Sequence, residues 1–189
     1  MIKVGYLVNH QRWMEGERGT FFDYILASNG LFIRAEGKLL SARIPVAAAE
    51  VRGLAPLEPE VILRHGRIPQ RLFDVAVSVM LADPGRERYL AITWEDGYRL
   101  HFPEQEGTGI SVEYSPLANV VLDLHSHGGM QALFSRQDNK DEQGLKLYAV
   151  IGSLNEVPVV KIRCGVYGYF HSIAWGDVFE GSLMVVTEN

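Results

Sequence analysis

The sequence predicts an α+β (mixed α/β) fold, with a small β-rich N-terminal region over residues 1–68 and a second domain over residues 69–189. Three observations lead there. Apolar runs of strand length, set apart by turn residues, occupy the first third of the chain. Three prolines (Pro56, Pro59, Pro69) and two glycines (Gly53, Gly66) then punctuate residues 52–69, which makes this the place for a boundary. Beyond Pro69 a helical period and several strand-like runs alternate loosely.

Taken in order, residues 31–34 (LFIR) and 39–46 (LLSARIPV) read as strands around Ala35-Glu36-Gly37-Lys38, a hairpin connection in which Gly37 supplies a positive φ. Pro69 suits the first turn of a helix, where its missing N–H would have no partner. Leu72, Phe73, Ala76, Val79 and Met80 follow at the three-and-four spacing of a buried helical face, and Asp83-Pro84-Gly85 ends it. Tyr89–Thr93 and Tyr98–Phe102 are strands around the hairpin signal Glu95-Asp96-Gly97. Residues 119–127 (NVVLDLHSH) and 147–154 (LYAVIGSL) are further strands. Val160, Ile162, Cys164 and Val166 recur at period two, so one face is buried and Cys164 is a packed thiol.

Composition narrows the function. The 189 residues are 47% apolar, with 18 Lys+Arg against 23 Asp+Glu and a net charge of −5. That balance argues against direct nucleic-acid or anionic-membrane binding, which needs a basic stripe. A lone cysteine excludes a disulfide framework and an all-cysteine zinc site, and fits a reducing cytoplasm. No apolar run approaches the ~20 residues of a membrane span, and the N-terminal MIKVGYLVNHQRW is too soon polar for a signal peptide. A soluble cytoplasmic protein is expected.

Chemistry concentrates in residues 123–142. His125 and His127 lie two apart at the end of a strand, so both imidazoles share a face and can reach one cation. Gly128-Gly129 then lets the backbone turn sharply. Ser135-x-x-Asp138 begins the next helix and brings a carboxylate back toward the histidines. Two histidines and one carboxylate suit zinc and leave a fourth position for water. Each part also has a plain structural reading: histidine pairs arise by chance, and Ser135-x-x-Asp138 is a helix cap. The readings are compatible, because a cap can fix the helix that delivers Asp138. Asp141 and Glu142 are rival carboxylates, though they read better as a solvated helix face. Asp123 shares the strand face of the histidines, as an orienting partner or as a strand-end polar residue. His10, His65, His101 and His171 show no partner pattern, and Trp94 and Trp175 read as core.

His-Ser-His, seven residues, Ser, two residues, Asp, as found at His125, Ser126, His127, Ser135 and Asp138, resembles the signature of the JAMM metalloproteases of the JAB/MPN family. The resemblance spans about residues 69–180, and HSHGGMQALFSRQDNKDEQGLKLYAVIG is similar to bacterial members that belong to PRTRC systems. One departure is Gly128, where many members carry proline. The resemblance implies a zinc domain with a cytidine-deaminase-like β-sheet and flanking helices. It implies Zn²⁺ held by His125, His127 and Asp138, and Ser135 hydrogen-bonding the bound water or the developing oxyanion. It implies Glu87, after the helix and opening the next strand, as general base, with Glu95, Glu104 and Glu113 as fallbacks. The implied reaction is hydrolysis of an amide or isopeptide bond in a peptide or at the C-terminus of a ubiquitin-like protein. The PRTRC likeness adds ThiF-like and ParB-like cassette proteins as partners.

Other metal enzymes fit less well. Asp-x-His-x-His also opens amidohydrolase and PHP phosphoesterase sites, but there it lies on the first strand of a barrel of ~250 residues, and only the last third of this chain follows it. A zinc deaminase needs a later Cys-x-x-Cys that this chain lacks. The rival from another class is a non-catalytic JAB-like scaffold that binds zinc and a partner. Retention of the whole ligand set favours the hydrolase.

Overall fold

A computed structural model of the chain describes residues 3–103, 117–183 and 186–188. It divides into two compact units: Met1–His65 with Glu142–Leu145 and Cys164–His171, and Gly66–Asp141 with Lys146–Arg163 and Ser172–Asn189.

The first unit is built on six strands: β1 (Val4–Asn9), β2 (Met14–Glu17), β3 (Phe22–Ala27), β4 (Gly30–Glu36), β5 (Leu40–Ala48) and β6 (Glu60–Leu63). Their order is β2-β1-β3-β4-β5-β6, with β1 and β3 parallel and the other pairs antiparallel. Alternation along β3 buries Asp23, Ile25 and Ala27, and Leu7, Ile25, Ala27 and Phe32 form a core against which Leu57 packs. Buried Asp23 is satisfied by the Gly19 N–H at 2.7 Å and the Arg34 guanidinium at 2.7 Å, as a buried carboxylate requires. The β4–β5 hairpin forms where the sequence marks it, but Gly37 does not take a positive φ. Space explains the glycine: a Cβ there would lie 3.2 Å from the Leu145 side chain and 3.3 Å from the Leu40 carbonyl.

The second sheet comprises β7 (Tyr89–Trp94), β8 (Tyr98–His101), β9 (Val120–Ser126), β10 (Leu145–Gly152), β11 (Val159–Val166), β12 (Tyr169–Ile173) and β13 (Thr187–Glu188). Its order is β12-β11-β10-β9-β7-β8, with β13 on β11. β9 runs antiparallel to β7 and parallel to β10. The β7–β8 turn places Asp96 at φ 54° and Gly97 at φ 154°, as its Asp-Gly pair requires. Helix α1 (Gln70–Leu81) buries Phe73, Ala76, Val77 and Met80, and Pro69 sits at its N-cap rather than inside its first turn. Phe73 packs with Phe179 and with Trp175 of the short α3 (Trp175–Val178), ring centroids 5.0 and 5.8 Å apart. Helix α2 (Arg136–Asp141) buries none of its side chains. β11 departs from the expected single buried face: Ile162 to Val166 are all buried, Arg163 among them. Cys164 is fully buried, which pushes its thiol up to about 12. Among the described residues, no helix is long and apolar enough to cross a membrane.

Residues 164–171 count with the N-terminal sheet: the Tyr24 and Tyr169 hydroxyls lie 3.0 Å apart and the Phe22 and Tyr167 rings 5.0 Å apart. A protease cut between residues 52 and 68 is therefore expected to leave two pieces that co-elute in gel filtration. Elution of a separate, folded C-terminal fragment would contradict this.

Candidate metal centre

The site begins at the end of β9. Asp123 and His125 project from one face of this strand, and His127 follows two residues later, just beyond its end. Tyr89 of β7 pairs with His125 on one side and Val150 of β10 pairs with it on the other. The intervening Ser126 is buried on the opposite face. Its hydroxyl accepts the Arg88 N–H at 3.0 Å, and its own N–H donates to the Arg88 carbonyl at 2.8 Å. The His127 N–H donates to the Ile151 carbonyl at 2.9 Å, and the Leu154 N–H donates to the Gly128 carbonyl at 2.9 Å. The histidine turn is thus stitched to the end of β10.

Gly128 is required here. It holds φ at 56°, and a Cβ would stand 2.6 Å from the Pro84 carbonyl oxygen. Proline, locked near φ −65°, cannot take this conformation, which accounts for glycine where the JAMM pattern often has proline. Gly152 is as crowded: its Cβ would meet the Ala132 nitrogen at 2.3 Å.

Asp138 reaches the histidines from α2. The Ser135 hydroxyl accepts the N–H groups of Gln137 and Asp138 at 3.2 and 3.1 Å, and the Ser135 N–H donates to Asp138 Oδ2. This reciprocal cap satisfies otherwise orphaned donors of the first turn. It also leaves Asp138 Oδ1 facing His125 Nε2 at 3.6 Å. The His125 and His127 ring centroids are 5.0 Å apart, and the ligand atoms of His125, His127 and Asp138 all lie within 4.8 Å of one another.

The donor set fits a cation. His125 Nε2 is buried and has no hydrogen-bond partner among the described residues. A buried polar atom left so costs stability unless something else occupies its lone pair. The 3.6 Å to Asp138 is too long for a hydrogen bond and close to the roughly 3.4 Å between adjacent ligands of a tetrahedral zinc site. Burial, above all, pulls the His125 imidazole down to about 4, although Asp138 opposes this, and the ring is neutral near pH 7. Burial pushes the Asp138 carboxyl up, but Ser135 and the two imidazoles outweigh it and hold the group below its ordinary value. Neutral imidazole and ionised carboxylate are the forms that bind metal.

The other residues singled out by sequence lie as follows. Glu87 is exposed, two residues before Tyr89, and the β7–β9 register brings it to the position opposite His127. Glu95 belongs to the β7–β8 turn, with ion pairs to Arg99 at 3.6 Å and His101 at 3.9 Å. Glu104 and Glu113 lie outside the described residues. Asp123 is interior to β9, not at its end. It accepts hydrogen bonds from the Tyr89 hydroxyl and, at 2.9 Å, from Lys146 Nζ. Asp141 is exposed and takes the Gln137 amide, whereas Glu142, expected on the same solvated face, is buried. Two neighbours escaped the sequence reading. Phe134 stands edge-on to His125 with centroids 6.2 Å apart, and the Arg163 guanidinium lies 3.7 Å from the Phe134 ring centroid. A period-two reading of β11 turns Arg163 outward, so only the fact that both faces are buried reveals it.

Residues 103–165, which contain all three converging side chains, match a family described as prokaryotic homologs of the JAB domain. Over this third of its length the chain is similar to the JAB domain. Comparison with curated proteins and with solved structures returned no match. The JAB match covers β9, the histidine turn, α2, β10 and most of β11, the elements that build the site.

His125 imposes a pH dependence on the metal-free protein. Its folded value, about 4, lies below the ~6.5 of an unfolded histidine, so the unfolded chain binds more protons between these limits. Stability should fall as pH drops from 6.5 toward 4, by at most about 1.4 kcal/mol per pH unit from this group. Urea midpoints at pH 7 and pH 5 test this. His125→Asn should flatten the difference, and an unchanged slope would refute the assignment.

Proposed function

We propose that the chain is a zinc-dependent metallohydrolase of the JAMM type, a peptidase or isopeptidase whose substrate class is the C-terminal amide or isopeptide linkage of a ubiquitin-like protein. The observation that carries this reading is the buried, unpartnered Nε2 of His125 beside Asp138 and His127. His125, His127 and Asp138 would hold the ion. Zinc there would supply a water of lowered pKa and an electrophile for the scissile carbonyl.

The chain's own groups do the rest. The cap on Asp138 occupies Oδ2 and leaves Oδ1 for coordination. Ser135 Oγ accepts two backbone N–H groups, which leaves its O–H to donate a hydrogen bond to the carbonyl oxygen as that oxygen gains charge. Glu87 takes the proton of the attacking water on its carboxylate and returns it to the departing amine nitrogen. The second sheet and α1 are read as the deaminase-like arrangement that the family resemblance implies. The PRTRC likeness supports ThiF-like and ParB-like proteins as partners in the cytoplasm.

The exposure of Glu87 favours a second reading, a non-catalytic zinc-binding scaffold. Metal content and turnover separate the two. Purified wild type should carry about one zinc per chain and His127→Ala should lose most of it; equal zinc in both, or none in wild type, would end the metal assignment. Glu87→Gln should retain zinc yet lose roughly 10²–10⁴-fold in cleavage of a ubiquitin-like fusion, whereas Asp138→Asn should also weaken zinc retention. Full hydrolysis by Glu87→Gln, with Glu95→Gln or Glu104→Gln inactive, would place the base elsewhere.

A further inference from the structure

Asp138 stands on an insecure element. Helix α2 spans six residues and buries none of their side chains, so it has no apolar face with which to anchor itself. Helices this short do not persist in water without outside contacts. The Ser135–Asp138 cap closes its first turn but is internal to the segment, and cannot set where the segment lies relative to β9.

Arg163 supplies an external contact. It projects from β11, is 6% exposed, and donates from Nη1 to Asn139 Oδ1 on α2 at 2.6 Å. Its guanidinium also lies against Phe134, the residue before the cap, 3.7 Å from the ring centroid. Phe134 in turn stands edge-on to His125. One side chain, rooted in the sheet, thus grips the segment on both sides of Ser135 and Asp138. A planar guanidinium lies flat against a ring while donating from its edge, a geometry that the compact ammonium of lysine does not reproduce.

We propose that Arg163 is a positioning residue for the metal centre: it ties Phe134 and Asn139 to the sheet and thereby holds Asp138 Oδ1 against His125. It is not one of the three converging side chains. The inference rests on the metal reading above only for its consequence, and the tie itself can be measured without metal.

The experiment uses the full chain as wild type, Arg163→Met, Arg163→Lys and Asn139→Ala. Asn139 is exposed, so its truncation spares the sheet should Arg163→Met fail to fold. In metal-free protein, backbone NMR order parameters of residues 134–141 should fall from about 0.85 to below about 0.6 in Arg163→Met and Asn139→Ala, with β9 unchanged. Zinc dissociation constants should rise roughly 10–100-fold, the usual cost of losing a residue that orients a ligand. Arg163→Lys should not restore either value. Unchanged order parameters in both truncations would overturn the tie. Loosened order parameters with wild-type zinc affinity would overturn its role in positioning, and full rescue by lysine would show that charge alone suffices. A wild type that binds no zinc would defeat the metal reading beneath, a failure told apart by the metal-free measurements.

Discussion

β9 hydrogen-bonds to β7 along one edge and to β10 along the other, and with both edges occupied it can neither slide nor rotate without breaking two ladders. A shift of one residue would turn His125 to the opposite face and bring Ser126 in its place. The buried Ser126 hydroxyl, bonded to the Arg88 N–H, and the His127 N–H, bonded to Ile151, fasten the strand end where the ladders stop. The position of both imidazoles is therefore a consequence of backbone pairing. The crowding around Gly128 and Gly152 follows from the same closeness of chains.

Among the described residues near this strand, the acidic side chains are answered and an imidazole nitrogen is left open. Asp123 has Tyr89 and Lys146. Asp138 has the Ser135 N–H on one oxygen. His125 Nε2 is left open, and burial keeps its ring neutral. A folded domain tolerates an unanswered buried group where function needs it. The capping serine illustrates how one residue serves two ends: the lone pairs of its hydroxyl cap the helix, and its proton stays available.

Legibility in the sequence followed the strength of the local signal. α1 and the β4–β5 and β7–β8 hairpins were readable, because their apolar periods are uninterrupted and turn residues bound them. β3 was not, since Asp23 breaks the apolar alternation at a position where Gly19 and Arg34 make a buried carboxylate acceptable. β2 was not, since all four of its residues are exposed and it is held by pairing with β1 alone. Glu142 looked like a solvated helix residue because burial by distant chain leaves no local mark. Arg163 was hidden for the same reason.

Local covalent geometry lets a sequence determine that His125 and His127 share a face, that Ser135 caps a helix, and that Asp138 lies in the first turn. Those relations span a few residues, and the periods of strand and helix suffice to state them. Whether the two groups meet is not such a relation. It depends on β9 lying between β7 and β10, on the turn at Gly128 folding under Pro84, and on α2 resting beside β11. These are contacts between segments tens of residues apart, chosen by which buried surfaces and hydrogen bonds can be satisfied together. The sequence by itself determined the types and local spacing of these side chains; the tertiary structure alone decided their convergence and the burial of His125, because desolvation belongs to the packed neighbours and not to the residue.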